Sequence, residues 1–137
     1  MRVFFDTNIL VYAAGMDAKS VIARELLLRG GIVSVQILNE FINVARKKMR
    51  HDWPMVERAL SYYRDALDEP VALTDTTHRL GVQIARKHGF HIYNSMIIAS
   101  ASLAGCGILY TEDLADRAVI AGVQISNPFK FARPSAA

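Results

Sequence analysis

The sequence predicts an α/β fold in which helices flank a mostly parallel central sheet. Short apolar segments without alternation are typical of buried strands, and longer segments with apolar residues three and four positions apart are typical of amphipathic helices. Because the two kinds alternate along the chain, helices on both faces of the sheet are expected. With 137 residues, 52% of them hydrophobic, we expect one domain over residues 1–129 and a short tail at 130–137.

Five short apolar segments are the predicted strands. The first, Arg2–Asp6, is cut off by the polar sequence Asp-Thr-Asn. The others are Ile32–Val33, Pro70–Leu73, Ile108–Tyr110 and Val123–Ile125. Sheets of this kind carry their chemistry at the carboxyl ends of the strands, so polar residues directly after these segments are the first functional candidates.

Periodicity and end signals predict seven helices between the strands. Ser34 is a suitable N-cap, Pro54 is tolerated in a first turn, and Gly89 is a typical helix stop. The expected helices are Asn8–Ala14, Ala18–Leu28, one from Ser34 to about Arg50, one from Trp53 to about Leu67, Asp75–His88, Asn94–Leu103 and Asp116–Ala121.

Composition excludes several classes of protein. A lone cysteine, Cys106, cannot form an intramolecular disulfide, which favours a reducing compartment. Neither a secretion signal nor an apolar run of membrane-spanning length is visible, so we expect a soluble cytoplasmic protein. The net charge of +3 permits nucleic-acid binding without arguing for it.

Three acidic residues stand out by their positions. Asp6 ends the first strand, Asp113 follows the strand Ile108–Tyr110, and Glu40 lies in the helix after the second strand, beside its apolar stripe. Each alone could be a surface carboxylate, and Asp6 or Asp113 could cap a helix. Together they fall at one edge of the predicted sheet, where carboxylates repel unless a cation lies between them. Oxygen ligands of this kind suit Mg²⁺ or Mn²⁺.

The residues that other phosphate-binding or phosphate-transferring proteins require are missing from the sequence. Asp6 has no second carboxylate two positions on, as an aspartyl-phosphate phosphatase would need, and no GxxxxGK[ST] loop is present. Gly105-Cys106-Gly107 precedes a strand, whereas a dinucleotide fingerprint follows one.

Four segments, each weak alone, resemble the motifs of PIN-domain ribonucleases, particularly VapC-type toxins of bacterial toxin–antitoxin pairs. They occur in the family's order and spacing over roughly residues 2–129. The segments are Val3–Leu10, Ser34–Phe41, Tyr93–Ala99 and Leu109–Leu114, and Asn127–Phe129 is similar to the usual end of the domain. The resemblance implies a three-layer PIN-like sandwich and an endoribonuclease that depends on Mg²⁺ or Mn²⁺.

The resemblance also implies site residues and partners. The catalytic, metal-holding positions are Asp6, Glu40, Asn94 and Asp113, and the neighbours that position water or phosphate are Thr7, Asn8 and Thr111. The implied partners are an RNA substrate, a small cognate antitoxin and a second copy of the chain, in a bacterial or archaeal cytoplasm. In similar proteins the region around Trp53 and Tyr62 serves the dimer and the antitoxin.

Asn94 departs from the family pattern, which has an aspartate there. An amide keeps one oxygen but loses the charge, so metal affinity and hydrolysis should both suffer. Two origins stay open: an introduced change that silences a toxin, or a natural residue of a non-catalytic module that binds RNA or an antitoxin. A third interpretation makes Asn94 a simple helix N-cap.

Two basic runs end predicted helices. Arg46, Lys47 and Lys48 belong to the first, which continues to His51, and Arg86–His88 is the second. Each either complements the helix dipole or contacts RNA phosphates. Neither run contains aromatic residues, so the sequence does not predict base stacking there.

Overall fold

A computed structural model describes residues 1–130 of the chain. Of the predicted tail, residues 131–137 lie outside the described part. The elements, in chain order, are β1 (Val3–Phe5), α1 (Thr7–Ala13), α2 (Ala18–Leu28), α3 (Val35–Lys47), α4 (Trp53–Ala66), α5 (Asp75–His88), α6 (Ile92–Leu103), β2 (Ile108–Tyr110), β3 (Val119–Ile120) and β4 (Val123–Ser126). The predicted mixed α/β class with a mostly parallel sheet is confirmed.

The four strands lie in the order β1-β2-β4-β3. β1 pairs parallel with β2, and β2 parallel with β4, so that Phe4, Leu109 and Ile125 stand side by side and fully buried. On the other side of β1, Ile32 forms a single parallel pairing with Phe4. The row of apolar residues is the centre of the core.

The chain runs from β1 to one side of the sheet, through Ile32 and then Val71, before it returns to the other side at β2. The boundary between β1 and β2 is therefore the point at which the strand order reverses. Crevices for ligands open at the carboxyl ends of the strands at such a point. Asp6 directly follows β1 there, and Thr111 directly follows β2.

Two predicted strands are reduced to single pairings. Ile32–Val33 contributes the pairing of Ile32 with Phe4, and Pro70–Leu73 contributes one between Val71 and Ser34. Helix ends also shift by a few residues, with α1 beginning at Thr7 and α3 ending at Lys47. The helix differences arise at boundaries, where local sequence preferences are weakest.

The predicted helix Asp116–Ala121 is wrong, because Val119 and Ile120 form β3 and pair antiparallel with β4. Ala121 and Gly122 connect the two strands, and both have positive φ values, 50° and 78°. A two-residue hairpin loop with positive φ at both positions matches the right-handed twist of the strands. Because alanine, unlike glycine or asparagine, is uncommon at positive φ, the sequence gives no signal for this turn.

Tyr63 of α4 contacts both α1 and α3, the two helices that carry predicted site residues near the first strand. Its buried ring packs edge-on against Phe41 of α3, with centroids 5.1 Å apart, and its hydroxyl donates to the Leu10 carbonyl of α1 at 2.6 Å. Burial raises the pKa of the Tyr63 hydroxyl, which stays a neutral donor. α1 and α3 are thereby fixed relative to each other.

α5 and α6 form a closely packed pair. A Cβ on Gly81 of α5 would collide with the sulfur of Met96 on α6, so glycine permits the approach. None of the helices within residues 1–130 has both the length and the apolar composition needed to cross a membrane.

Candidate active site

Asp6 is the centre of the candidate site and also the N-cap of α1. Its side chain is 5% exposed. One carboxylate oxygen, Oδ1, accepts from the backbone N–H of Thr7 at 2.6 Å, and Oδ2 accepts from the Thr111 hydroxyl at 2.7 Å. Strand end and helix start therefore hold this carboxylate from two directions.

Asn8 links Asp6 to Asp113. Its amide nitrogen donates to Asp113 Oδ2 at 3.0 Å and lies 3.3 Å from Thr111 Oγ1 and 3.5 Å from Asp6 Oδ2. The Asp113 backbone N–H in turn donates to Thr111 Oγ1 at 3.2 Å. The Asn8 amide oxygen is buried and has no hydrogen-bond partner within residues 1–130.

Glu40 joins the same network from α3. Its Oε2 accepts from the Thr7 hydroxyl at 2.6 Å, and its Oε1 lies 3.4 Å from the Gln36 amide nitrogen one helical turn earlier. Because Thr7 follows Asp6 directly, one residue connects the Glu40 and Asp6 carboxylates. The structure thus brings together three predicted acids and three predicted neighbours: Asp6, Glu40, Asp113, Thr7, Asn8 and Thr111.

The surroundings of Asp6 disfavour the ionised form of its carboxyl group. Burial is the largest cause that raises its pKa, from an ordinary 3.8 to about 6, and the negative charges of Asp113 and Glu40 add to it. Hydrogen bonds from Thr111 and Thr7 act in the opposite direction without cancelling the rise. A cation near the three acids would relieve this repulsion.

A clamp that sequence reasoning missed holds the loop after β2. Glu112, between the site residues Thr111 and Asp113, accepts from the Tyr12 hydroxyl and pairs with Lys19 Nζ at 2.8 Å. Lys19 Nζ also lies 4.9 Å from the centroid of the Tyr12 ring, which packs edge-on against Phe129. The only sequence signal for this clamp is the acid next to Asp113, since its partners lie 93 and 100 positions away.

Asn94 does not take part in the hydrogen-bonded network within residues 1–130. It is the third residue of α6 and half-buried, and within residues 1–130 no hydrogen bond joins its side chain to Asp6, Glu40 or Asp113. The N-cap interpretation is wrong because α6 begins two residues earlier, where His91 Nδ1 accepts from the Tyr93 backbone N–H at 3.3 Å. Asn94 does not cap its helix.

A family model for the PIN domain matches residues 3–119. The chain belongs to the PIN domain family. The predicted resemblance is thereby confirmed at the level of the family. No curated protein sequence matches the chain significantly.

Solved structures share the fold of this PIN domain. A toxin–antitoxin complex from Klebsiella pneumoniae is 20% identical, with a TM-score of 0.70 over 92% of this chain and 97% of that one. VapBC2 from Rickettsia felis, bound to a promoter DNA fragment, is 19% identical, with a TM-score of 0.67 over 93% and 98%. VapC20 from Mycobacterium tuberculosis, a toxin that cleaves the sarcin–ricin loop, is 14% identical, with a TM-score of 0.66 over 81% and 89%.

A cavity of about 430 Å³ opens beside Glu40 in this PIN domain, between α3, α5 and α6. Its volume is in the range of small-ligand pockets. The lining residues are Ser34, Gln36, Glu40, Leu73, His78, Ile92, Tyr93, Met96, Ile97 and Ser100. Glu40 is the one predicted acid among them, so the cavity borders the acid network at a single point.

The acids of the PIN domain have the donor chemistry for a hard cation but are spread out. Within residues 1–130, no three His, Cys, Asp or Glu side chains form a group that could hold one metal ion. The Asn8 amide instead links Asp6 to Asp113, and Thr7 binds Glu40. All candidate ligands are oxygens, including the unpartnered amide oxygen of Asn8, and such a set fits Mg²⁺ or Mn²⁺ and not zinc.

The predicted RNA-contacting residues Arg46, Lys47 and Lys48 are exposed at the end of α3. The Arg46 guanidinium lies 4.9 Å from the centre of the Trp53 ring, at the start of α4. The structure therefore places an aromatic side chain against a basic run that contains none in its own sequence.

Proposed function

We propose that this PIN domain is an endoribonuclease of the VapC toxin type that hydrolyses RNA phosphodiesters. The observation that carries the proposal is the hydrogen-bonded network of Asp6, Glu40 and Asp113 at the β1–β2 switch point. The toxin–antitoxin complexes among the similar structures support it, as does the RNA-cleaving toxin VapC20.

In this proposal Asp6, Glu40 and Asp113 hold Mg²⁺ or Mn²⁺, and Asn94 contributes a neutral oxygen. When bound there, the ion supplies positive charge against the phosphate and makes water more acidic. Binding requires the acids to draw closer than they stand here. The positive charge of the ion would offset the repulsion that otherwise opposes this movement.

The neighbouring residues set the orientation of the acids. The Thr111 hydroxyl holds Asp6, Thr7 holds Glu40, and the Asn8 amide holds Asp113. Thr7, Asn8 and Thr111 thus act as positioning residues and can also orient water or phosphate. Arg46, Lys47 and Lys48 contact the RNA backbone in this proposal, which offsets the repulsion between phosphates and acids.

Asn94 lowers the activity of this exact sequence, because the site has lost one of the anionic oxygens that hard cations prefer. The same substitution favours a second candidate function, a non-catalytic module that binds an antitoxin or RNA. An introduced silencing change and a natural residue both account for Asn94.

The proposed partners follow from the same charges. An antitoxin segment that covers the acids would present arginine, whose guanidinium pairs with carboxylates in a bidentate manner. A second copy of the chain completes a homodimer. The proposed compartment is a bacterial or archaeal cytoplasm, which a single free cysteine suits.

Cleavage of total RNA tests the proposal and separates the two functions. The chain and its Asn94→Asp variant are incubated with Mg²⁺, with and without EDTA. We expect EDTA-sensitive cleavage by Asn94→Asp, about 100-fold faster than by the parent, as when a single stabilising group is restored to an active site. Gln83→Glu, which adds the same charge at an exposed position of α5, is the matched control and should not raise the rate. Absence of cleavage by Asn94→Asp would leave the non-catalytic module.

A further inference from the structure

We propose that Trp53 and Arg46 form a stacking platform for an unpaired base of the RNA, at a distance from the acids along α3. This inference rests on the proposed function in assuming an RNA substrate. It goes beyond contacts to the RNA backbone, because it assigns an exposed aromatic residue to the bases and predicts a preference for single strands.

The Arg46–Trp53 pair is held from two sides. The guanidinium lies over the indole ring, and its Nη1 donates to the His51 carbonyl at 3.2 Å. Trp53 remains 51% exposed despite this contact. A fixed guanidinium plane beside a half-exposed indole is the kind of surface on which unpaired bases stack.

The charges around the pair are available to phosphates. Arg46, Lys47, Lys48 and Arg50 are all exposed. In the part of the chain that the structure describes, the ion pairs involve Lys19, Arg79 and Lys130, and none involves these four residues. Unpaired cations around an aromatic residue fit a polyanion with exposed bases better than an apolar protein surface.

α3 connects the platform to the acids. Lys47 follows Glu40 by seven residues, which is two helical turns or about 10.5 Å along nearly the same face. A strand whose phosphate lies at the acids can follow α3 to Lys47. Arg46, the preceding residue and about 100° around the helix from Lys47, then leads it to Trp53. A duplex hides the faces of its bases, so the platform should favour single-stranded RNA.

Fluorescence anisotropy in EDTA tests the platform without cleavage. The probe is a single-stranded RNA of roughly 12 nucleotides, within the usual range of such sites. Trp53→Leu should weaken binding about tenfold, the effect of losing one base–aromatic stack. Lys47→Gln with Lys48→Gln should lower the salt-dependence slope by about 1.4, or 0.7 for each lost phosphate contact. The matched control is Arg86→Gln with Lys87→Gln, at the basic end of α5, and should change neither quantity.

Several results would overturn the platform. One is an unchanged RNA affinity in a Trp53→Leu protein whose melting temperature matches the parent, which would assign the indole to a protein partner. Equal weakening by the α3 and α5 charge changes, or equal competition by duplex RNA, would show non-specific attraction only. Competition between single-stranded and duplex RNA uses the parent protein and keeps the test of the platform valid if Trp53→Leu fails to fold. Cleavage by Asn94→Asp is measured separately, so platform and nuclease can fail independently.

Discussion

The β1–α1 corner (Asp6–Asn8) and the first turn of α6 both carry predicted site residues. In the described part of the chain, only the corner residues are hydrogen-bonded to the other predicted site residues. At the corner, Asp6 accepts hydrogen bonds from Thr7, Thr111 and Asn8, and it is linked to Asp113 through Asn8 and to Glu40 through Thr7. At α6, no hydrogen bond within residues 1–130 joins Asn94 to that network.

The difference shows what a neutral residue does in an acidic site. Burial above all, and then the charges of Asp113 and Glu40, raise the pKa of Asp6 to about 6. Threonine and asparagine donors hold the three acids in place. Asn94 adds no charge to this repulsion. Substitutions at the two regions should therefore affect activity and stability in different ways.

The largest expected effect concerns the corner. In an Asn94→Asp background, Asp6→Asn should reduce RNA cleavage by about 100- to 1000-fold, because it removes the charge at the centre of the network. Thr111→Val, which loses the hydroxyl that donates to Asp6 and accepts from the Asp113 backbone N–H, should reduce it by about tenfold. Single-turnover rates with Mg²⁺ measure both effects. Equal rates for Asp6→Asn and its Asn94→Asp background would show that Asp6 has no role in cleavage.

The pH dependence of stability gives the next effect. The folded chain holds the Asp6 proton more tightly than the unfolded chain, so the free energy of unfolding falls as pH rises from about 4 to above 6. Asp6→Asn abolishes this contribution. Its stability relative to the parent should therefore improve by about 2 kcal/mol between pH 4 and pH 7 in EDTA.

Urea unfolding at a series of pH values measures that difference. Asp75→Asn is the control, because its carboxylate is exposed and should give no comparable change. Parallel curves for the parent and Asp6→Asn would show that the proton on Asp6 is not held by the fold.

Asn94→Asp tests whether residue 94 on α6 lies close enough to the three acids to interact with their charges. A fourth carboxylate near the others should lower stability in EDTA near neutral pH by about 1–2 kcal/mol, the equivalent of a pKa shift of about one unit. Excess Mg²⁺ should narrow or reverse the gap, because it binds the folded aspartate form more tightly. Thermal melts test both, and identical melts in EDTA with no response to Mg²⁺ would place residue 94 outside the cluster.

The smallest effect concerns the clamp on the loop after β2. Lys19→Met removes a partly exposed ion pair with Glu112 and should change stability by less than about 1 kcal/mol. Cleavage in the Asn94→Asp background should fall a few-fold, since Thr111 and Asp113 flank Glu112. Lys19→Arg keeps the charge and should retain most activity; if Lys19→Met is equally active, the clamp does not position the loop.

Much of the corner was predictable because strand ends in a parallel sheet converge, so Asp6 and Asp113 could be paired from order alone. Helix α5 was also predictable, with Asp75 at its start and Gly89 at its end. The Glu112 clamp was not, because Tyr12 and Lys19 are ordinary helix residues whose contacts depend on tertiary packing. The β3–β4 hairpin was missed for a related reason: strand pairing at Val119 overrides a helix-like composition.

The hydrogen bond between Asp6 and the start of α1 makes the order of that helix depend on the ionisation of Asp6. The same carboxylate that faces the other acids also accepts the first backbone N–H of α1, from Thr7. A proton on Asp6 weakens that acceptor, so the first turn of α1 should fray more readily below pH 6 than above it. Hydrogen–deuterium exchange at Thr7 would then follow the ionisation of the site in the free protein, with neither RNA nor antitoxin present.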